Sequence, residues 1–487
     1  MQRNNMMEYA LGIDLGTSGV KAGLLNLSTL KLEFISMKEY EDSPEQNPTV
    51  LWDQTIQAVK ESVSRLGKPG QVRTIGLSGQ MHGAVLYDSA GQLLGPLINW
   101  KDQKWSPKTI IQKMKLAMGA RTYDELGTDI SSGYSAAILY GIKEYDPELY
   151  RRIAHFVLPV DFLRGKLLGE NSYTTDPTNA FGTGLFNTKL ACWHTELIQK
   201  FHLRVNMFPE VHPTSQSAGT ISDHVADLIG LERKIPVIFG GGDNQMSMLG
   251  SGLAEPGSPL LINIGTAGQI SRVIAGFARY PGTDTRSFFN QAYAVAGVSL
   301  GGGGSYQWLR EQIKQSEGLE ITYSELDKLA EGVPPGADGL IFCTGPTRQI
   351  PDRPRGFFGS INKQNSIDHR ARAVLEGVLM DLYASYEILG KDDENMFMLG
   401  AGKGLQKSQI WAQIAADLMD KPIRISGFEN AVFGAALMAA YGLGAVEDLH
   451  GPAQAIVPAV EVTPDGLHAE FYQADFVPYW RAVMSAV

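Results

Sequence analysis

The chain has only two cysteines in 487 residues, Cys192 and Cys343, and their spacing fits neither a disulfide framework nor a zinc site. That scarcity suits a reducing compartment. No apolar run is long enough to cross a bilayer. The opening MQRNNMMEYALGIDLG lacks the charged, apolar and small-residue order of a signal peptide. The expectation is a cytoplasmic protein with no membrane partner. Charged residues make up 19% and the formal net charge is −10, which argues against non-specific binding to nucleic acid. The G-x-x-x-x-G-K-[ST] phosphate loop is also missing.

Glycine, by contrast, is plentiful at 54 residues, without a fixed period and clustered between apolar runs. A chain of this length exceeds one ordinary core, and 44% apolar residues is a normal globular share, so two large domains are expected. The stretch YALGIDLGTSGVKAGLLN reads as a strand to Leu15, a turn at Gly16-Thr17-Ser18-Gly19 and a returning strand. The pattern recurs in LLINIGTAGQIS. Laying Gly16-Thr17 on Gly265-Thr266 sets Asp14 opposite Asn263 and Gly19 opposite Gly268, about half a chain apart. Two similar domains are implied, each opening with a strand–turn–strand hairpin.

Between and after the hairpins, strand-like and helix-like segments alternate. Trp52, Ile56, Val59, Val63 and Leu66 fall on one helical face, with Gly67 as its stop. Thr74 to Asp88 reads as strand, loop, strand. Leu375 to Leu389 marks a long helix ending at Gly390, Met396 to Gly400 a strand, and Ser408 to Leu418 a helix. Mixed elements in both halves predict layered α/β domains with a ligand cleft between them.

The glycine clusters carry the chemistry. Gly16-Thr17-Ser18 and Gly265-Thr266 can offer backbone N–H and hydroxyl groups to phosphate, although each reads equally well as a tight turn. Asp14 tips the balance. A carboxylate ending a buried strand is costly without a partner, and Mg²⁺ with nucleotide phosphates would supply one. Gly240-Gly241-Gly242 follows an apolar run and clears space for Asp243. That carboxylate can accept a hydroxyl proton as the hydroxyl attacks phosphorus, or it can cap a helix starting at Asn244. Gly301 to Gly304 opens a helix, a natural place for a nucleotide's polar groups. Gly400 to Gly404 lies between a strand and a helix.

The motifs GIDLGTSGVK, SGQMHG, GGGDN, NIGTAG, GGSYQWL and the late glycine loop, in this order, resemble the FGGY carbohydrate kinases, of the actin and heat-shock-chaperone ATPase fold. The resemblance covers nearly the whole chain. It implies two ribonuclease-H-like α/β domains flanking a catalytic cleft: residues 8–250 mainly for sugar, 251–450 mainly for ATP, and a C-terminal extension over 451–487. By motif, Asp243 resembles the catalytic base and Asp14 the acid near Mg²⁺ and the phosphates. Thr17, Ser18, Gly265 and Thr266 look like phosphate-loop residues, while Gly303, Gln307, Gly402 and Ser408 are similar to nucleotide contacts. Met81 and His82 sit where xylulokinases contact sugar, and Asn244 adjoins the base. Trp100-Lys101-Asp102-Gln103-Lys104 resembles the xylulokinase W-x-D-x-R segment, but Lys104 replaces the arginine and loses its bidentate reach.

The expected activity is ATP-dependent phosphorylation of a terminal hydroxyl on a ketose. The length of Gly400–Trp411 and the segment Thr175–Asn187 are similar to sedoheptulokinases, so sedoheptulose is the expected acceptor and xylulose the alternative. An actin- or chaperone-like ATP-binding protein and a non-catalytic sugar sensor are the rival classes. A homodimer is left open.

Overall fold

The computed structural model describes residues 7–346, 353–359, 366–390, 393, 395–427, 429–454, 456 and 458–486. Its first sheet is built on β1 (Tyr9–Leu15), β2 (Gly19–Asn26), β3 (Leu32–Glu39), β4 (Val72–Gly79) and β5 (Pro236–Ile238), in the order β5-β4-β1-β2-β3. β1, β2 and β3 run antiparallel in sequence, whereas β4 and β5 lie parallel on the other side of β1. The second sheet repeats this plan with β6 (Leu261–Ile264), β7 (Gly268–Ile274), β8 (Tyr293–Ser299), β9 (Met398–Ala401) and β10 (Ile423–Ile425). Here β6, β7 and β8 are antiparallel, and β9 and β10 follow parallel to β6. The repeat read in the sequence is therefore a repeat of topology.

Its register needs one correction. Leu15 pairs with Val20 in the first hairpin, but Ile264 pairs with Gly268 in the second. The second turn is one residue shorter, so Gly268 stands where Val20 does and Gly19 matches Ala267. The hydrogen bonds agree: Gly16 N–H reaches Gly19 O at 3.0 Å, and Gly265 N–H reaches Ala267 O at 3.0 Å.

Every residue of β1 is buried, because helices cover the first sheet. On one side lies α1 (Pro48–Val63), started by Asn47, whose side chain accepts from Thr49 N–H, and by Pro48 in its first turn. It stops at Ser64, three residues before Gly67. Two further helices, α2 (Asp243–Gly250) and α6 (Asn430–Gly442), make the connection between domains. Between them in sequence come α3 (Gly302–Glu317), α4 (Ile367–Leu389) and α5 (Gln409–Met419) on the second sheet.

Helix α6 comes late in the chain yet packs on the first sheet. A Cβ on Gly12 would sit 2.2 Å from Val432 O, and one on Gly76 would sit 1.9 Å from Ala435 O. Glycine at both positions lets the helix backbone rest directly on β1 and β4. α6 also meets α2 at Gly434, where a Cβ would lie 2.0 Å from Met246 O. One apolar core joins Ala10 and Leu25 of the first sheet, Met246 and Leu249 of α2, Phe433 and Leu437 of α6, and Leu261 and Val273 of the second sheet. Among the described residues, no helix is long and apolar enough to cross a membrane.

Candidate active site

Asp243 opens α2, and the chain before it is fitted tightly under the end of β4. Gly240 has φ +73°, and a Cβ there would meet Leu77 O at 2.0 Å. A Cβ on Gly242 would lie 2.5 Å from Met81 Cγ. Gly242 N–H donates to Thr178 Oγ1 at 2.9 Å, and the Thr178 hydroxyl donates in turn to Asp176. The Asp176 carboxylate also accepts from Thr178 N–H at 2.8 Å and Asn179 Nδ2 at 2.6 Å. Burial, and then the neighbouring Asp161, push its pKa up to about 6. The Thr175–Asn187 segment thus buttresses the loop that carries Asp243.

The Asp243 carboxyl is pushed up to about 7, first by desolvation and then by the charge of Asp14. Asn244 N–H, which it accepts at 2.7 Å, the Arg286 guanidinium and Met81 N–H pull the other way. A carboxylate poised near neutrality suits a general base. Asp243 lies within the first turn of α2, whose N-cap is Gly242, so the helix starts one residue before Asn244 and Asp243 does not cap it.

Asp14 is the penultimate residue of β1, opposite Ser78 on β4, and accepts the Ser78 hydroxyl at 2.7 Å. Burial raises its pKa, and Lys21, its cross-strand partner, opposes that. In the turn that follows, Tyr40 and Gln46 hold the carbonyls of Gly16 and Thr17. The Ser18 side chain is exposed, and Thr17 Oγ1 accepts from Trp100 Nε1 at 2.8 Å. Asp14 and Asp243 are two carboxylates within electrostatic reach, and no group of three metal-type side chains occurs among the described residues. That sparse donor set fits Mg²⁺, which is usually held by one or two carboxylates together with substrate phosphates and water.

On the opposite side, Thr266 is exposed at the tip of the second hairpin. Gly303 N–H donates to Gly265 O at 2.8 Å and Gly304 N–H to Thr266 O at 3.0 Å. The start of α3 is therefore stitched to the hairpin, and these two amides are already spent on backbone. Gly402, at φ +86°, rests on β6, where a Cβ would be 2.4 Å from Asn263 Oδ1. Ser408 is the N-cap of α5, accepting Trp411 N–H at 3.2 Å. Gln307 is exposed and donates to Glu311 at 3.0 Å. Of the residues expected at nucleotide, Gly303, Gly402 and Ser408 have evident packing or capping duties in the fold.

Met81 and His82 line a cavity of about 230 Å³ with Trp100, Ser131, Tyr134, Phe181, Asp284 and Arg286. His82 donates through Nδ1 to Gly182 O at 2.6 Å and stacks on Tyr134, ring centroids 4.2 Å apart. Lys104 is turned to the surface against Glu45 at 2.8 Å, while Asp102 accepts the N–H groups of Lys104, Trp105 and Ser106. Only Trp100 of that segment reaches the cavity. Asn244 bridges to the second sheet: its Nδ2 donates to Gln269 Oε1 at 2.9 Å, and Arg286 Nη1 donates to its Oδ1 at 2.7 Å. Arg286 and Tyr134 were not legible beforehand, since neither stands in a segment that the sequence singles out, while Gln269 and Phe181 lie within such segments without having been picked as site residues. A larger cavity of about 430 Å³, between Glu331, Ile410 and His468, shares no lining residue with this site.

These features match a known family along most of the chain. Residues 9–250 match the N-terminal domain, and residues 285–443 the C-terminal domain, of the FGGY family of carbohydrate kinases. The chain is 29% identical over 495 residues to a xylulose kinase of Bacillus subtilis, covering 97% of this chain and 96% of that protein. It is 27% identical over 473 residues to a gluconokinase of Bacillus licheniformis, covering 91% and 89%. The fold superposes on a ligand-bound xylulose kinase from Lactobacillus acidophilus with a TM-score of 0.87 at 23% identity, covering 99% of this chain and 98% of that one. The chain belongs to the FGGY family of carbohydrate kinases, and its activity is phosphoryl transfer to an alcohol group of a sugar.

Proposed function

We propose that Asp243 is the general base of this transfer and that the acceptor is a ketose, xylulose before sedoheptulose. The observation that carries the base is its carboxyl, pushed up to about 7 and hydrogen-bonded by the N–H of Met81, a residue that lines the cavity with His82. As the sugar hydroxyl attacks the γ-phosphorus of ATP, Asp243 takes the hydroxyl proton, the new O–P bond forms and the bond to ADP breaks. Asp14, Thr17, Gly265 and Thr266 would lie toward the phosphates. Mg²⁺, held by Asp14 and the phosphates, would neutralise charge on the transferring group.

Two observations favour xylulose over the seven-carbon sugar. The segment Thr175–Asn187, which favoured sedoheptulose on sequence, spends Asp176 and Thr178 on supporting the base loop. Relatives named xylulose kinase extend over 97% of the chain. The test is ADP release, measured on one preparation as kcat/KM for xylulose, sedoheptulose, ribulose, gluconate and glycerol. Xylulose should lead and glycerol should be poor, because a pocket built for several hydroxyls leaves its polar groups unpaired around a shorter polyol. A tenfold lead for sedoheptulose or gluconate would replace the acceptor. ATP turnover that no sugar stimulates would overturn the kinase reading itself.

A further inference from the structure

We infer that Arg286 is a specificity-determining residue of the acceptor site, reading a trigonal oxygen of the open-chain sugar, either a ketone or a carboxylate. The inference rests on the kinase reading above and deepens it. Arg286 stands on the strand Thr283–Ser287, at the outer edge of the second sheet beside β8. It lines the cavity of Met81, His82 and Phe181, residues that all come from the first domain. The guanidinium is thus a group of the second domain presented to the first domain's sugar pocket.

Its side chain is 13% exposed, and its hydrogen bonds are incomplete. Nη1 donates to Asn244 Oδ1 at 2.7 Å and Nη2 to Asp284 Oδ2 at 3.2 Å. Nε is buried with no partner among the described residues. A guanidinium has five N–H donors in a fixed plane, so further donors remain beyond those two bonds. Nε is out of reach of solvent, so a ligand oxygen would engage the remaining η N–H groups of this cavity-lining side chain. The aromatic ring of Phe181, with its centroid 6.0 Å from the guanidinium carbon, adds a wall suited to a planar cation.

The partners also limit the ligand's chemistry. Asp284 is 1% exposed and balances the charge of Arg286, so the site does not demand a net anion. A neutral ketone oxygen, with two lone pairs in the plane of the carbonyl, meets the planar donor set well. A carboxylate offers the same trigonal oxygen with added charge. A tetrahedral hydroxyl also accepts, but its lone pairs do not lie in one plane. Discrimination between ketose and alditol should therefore depend on Arg286. Asn244 ties the same group to the base: Arg286 and Gln269 together hold its amide, and Asn244 follows Asp243 directly.

The experiment uses the full chain and three acceptors of equal length: xylulose, xylitol and xylonate. Binding is measured by calorimetry without nucleotide, and turnover by ADP release, for wild type, Arg286→Lys and Arg286→Gln. Wild type should prefer xylulose to xylitol. Arg286→Gln should lose roughly ten- to a hundredfold in xylulose affinity and far less for xylitol, as befits a lost charge-assisted bond. Arg286→Lys, which keeps the charge but not the fork, should recover only part of the loss. The xylonate arm separates the two oxygens: a loss for xylulose alone assigns the ketone, and a larger loss for xylonate assigns the carboxylate. Equal losses for all three acceptors, or none, in a variant with wild-type melting would overturn the inference. If wild type phosphorylates none of them while Asp243→Asn leaves ATP turnover unchanged, the kinase reading fails instead.

Discussion

Replacing Asp243 by Asn should separate activity from stability, in a direction fixed by its raised pKa. The carboxyl has an ordinary value of 3.8 and is pushed up to about 7 in the folded chain. Between those values the folded state binds the proton more tightly than the unfolded state does. Stability therefore falls as pH rises from 3.8 through 7, and the full cost is present above 7. The interval corresponds to roughly 4 kcal/mol between charge states. Partial exposure of the residue reduces this to about 1–3 kcal/mol. Asparagine never ionises, so at pH 8 the ligand-free variant should melt about 1–4 °C above wild type, whereas at pH 5 the difference should shrink to about a third of that. Turnover should drop on the order of 10²–10⁴-fold, because the amide cannot take the hydroxyl proton. In the wild type, the acid limb of kcat/KM should lie near pH 7. Scanning calorimetry from pH 5 to 8 and a coupled ADP assay measure both effects. A melting difference that does not grow with pH, or a folded variant near wild-type turnover, would refute the reasoning.

Three further expectations concern the surroundings of that base. Asp14→Ala should raise the Mg²⁺ and ATP requirement with little change in sugar affinity, and should move the acid limb of kcat/KM to lower pH, since the Asp14 charge helps raise Asp243; sugar calorimetry and pH–rate profiles check both. Thr178→Val keeps the shape but removes the acceptor of Gly242 N–H, so denaturant titration should show a loss of about 1–3 kcal/mol, and kcat should fall more than the sugar KM changes. Gly76→Ala places a Cβ 1.9 Å from Ala435 O where α6 rests on β4, and the same titration should show a loss of at least about 1–3 kcal/mol.

Much of the framework was legible in the chain because it is local. An apolar strand, a glycine turn and a returning strand are neighbours in sequence, Tyr9 to Asn26 in the first hairpin and Leu261 to Ile274 in the second, so both hairpins stood out. The same holds for Asp243 after its three glycines and for Asp14 at the end of β1. The one-residue difference between the hairpins was not legible, since a turn's length is fixed by which residues pair and the repeat glycines align equally well either way.

The tertiary structure alone decided how these pieces meet. Arg286 reaches Asn244 across 42 residues, Thr178 reaches Gly242 across 64, and neither pairing leaves a periodic trace. The amides of Gly303 and Gly304, free in any sequence-level reading, are spent on hairpin carbonyls once α3 docks there. α6, late in the chain, returns to cover the first sheet because Gly12 and Gly76 open a path for its backbone. Sequence determines local conformation through short-range sterics and hydrophobic pattern. Which polar groups remain available for a ligand is settled only when distant segments desolvate one another, and that desolvation also raises Asp243 toward neutrality.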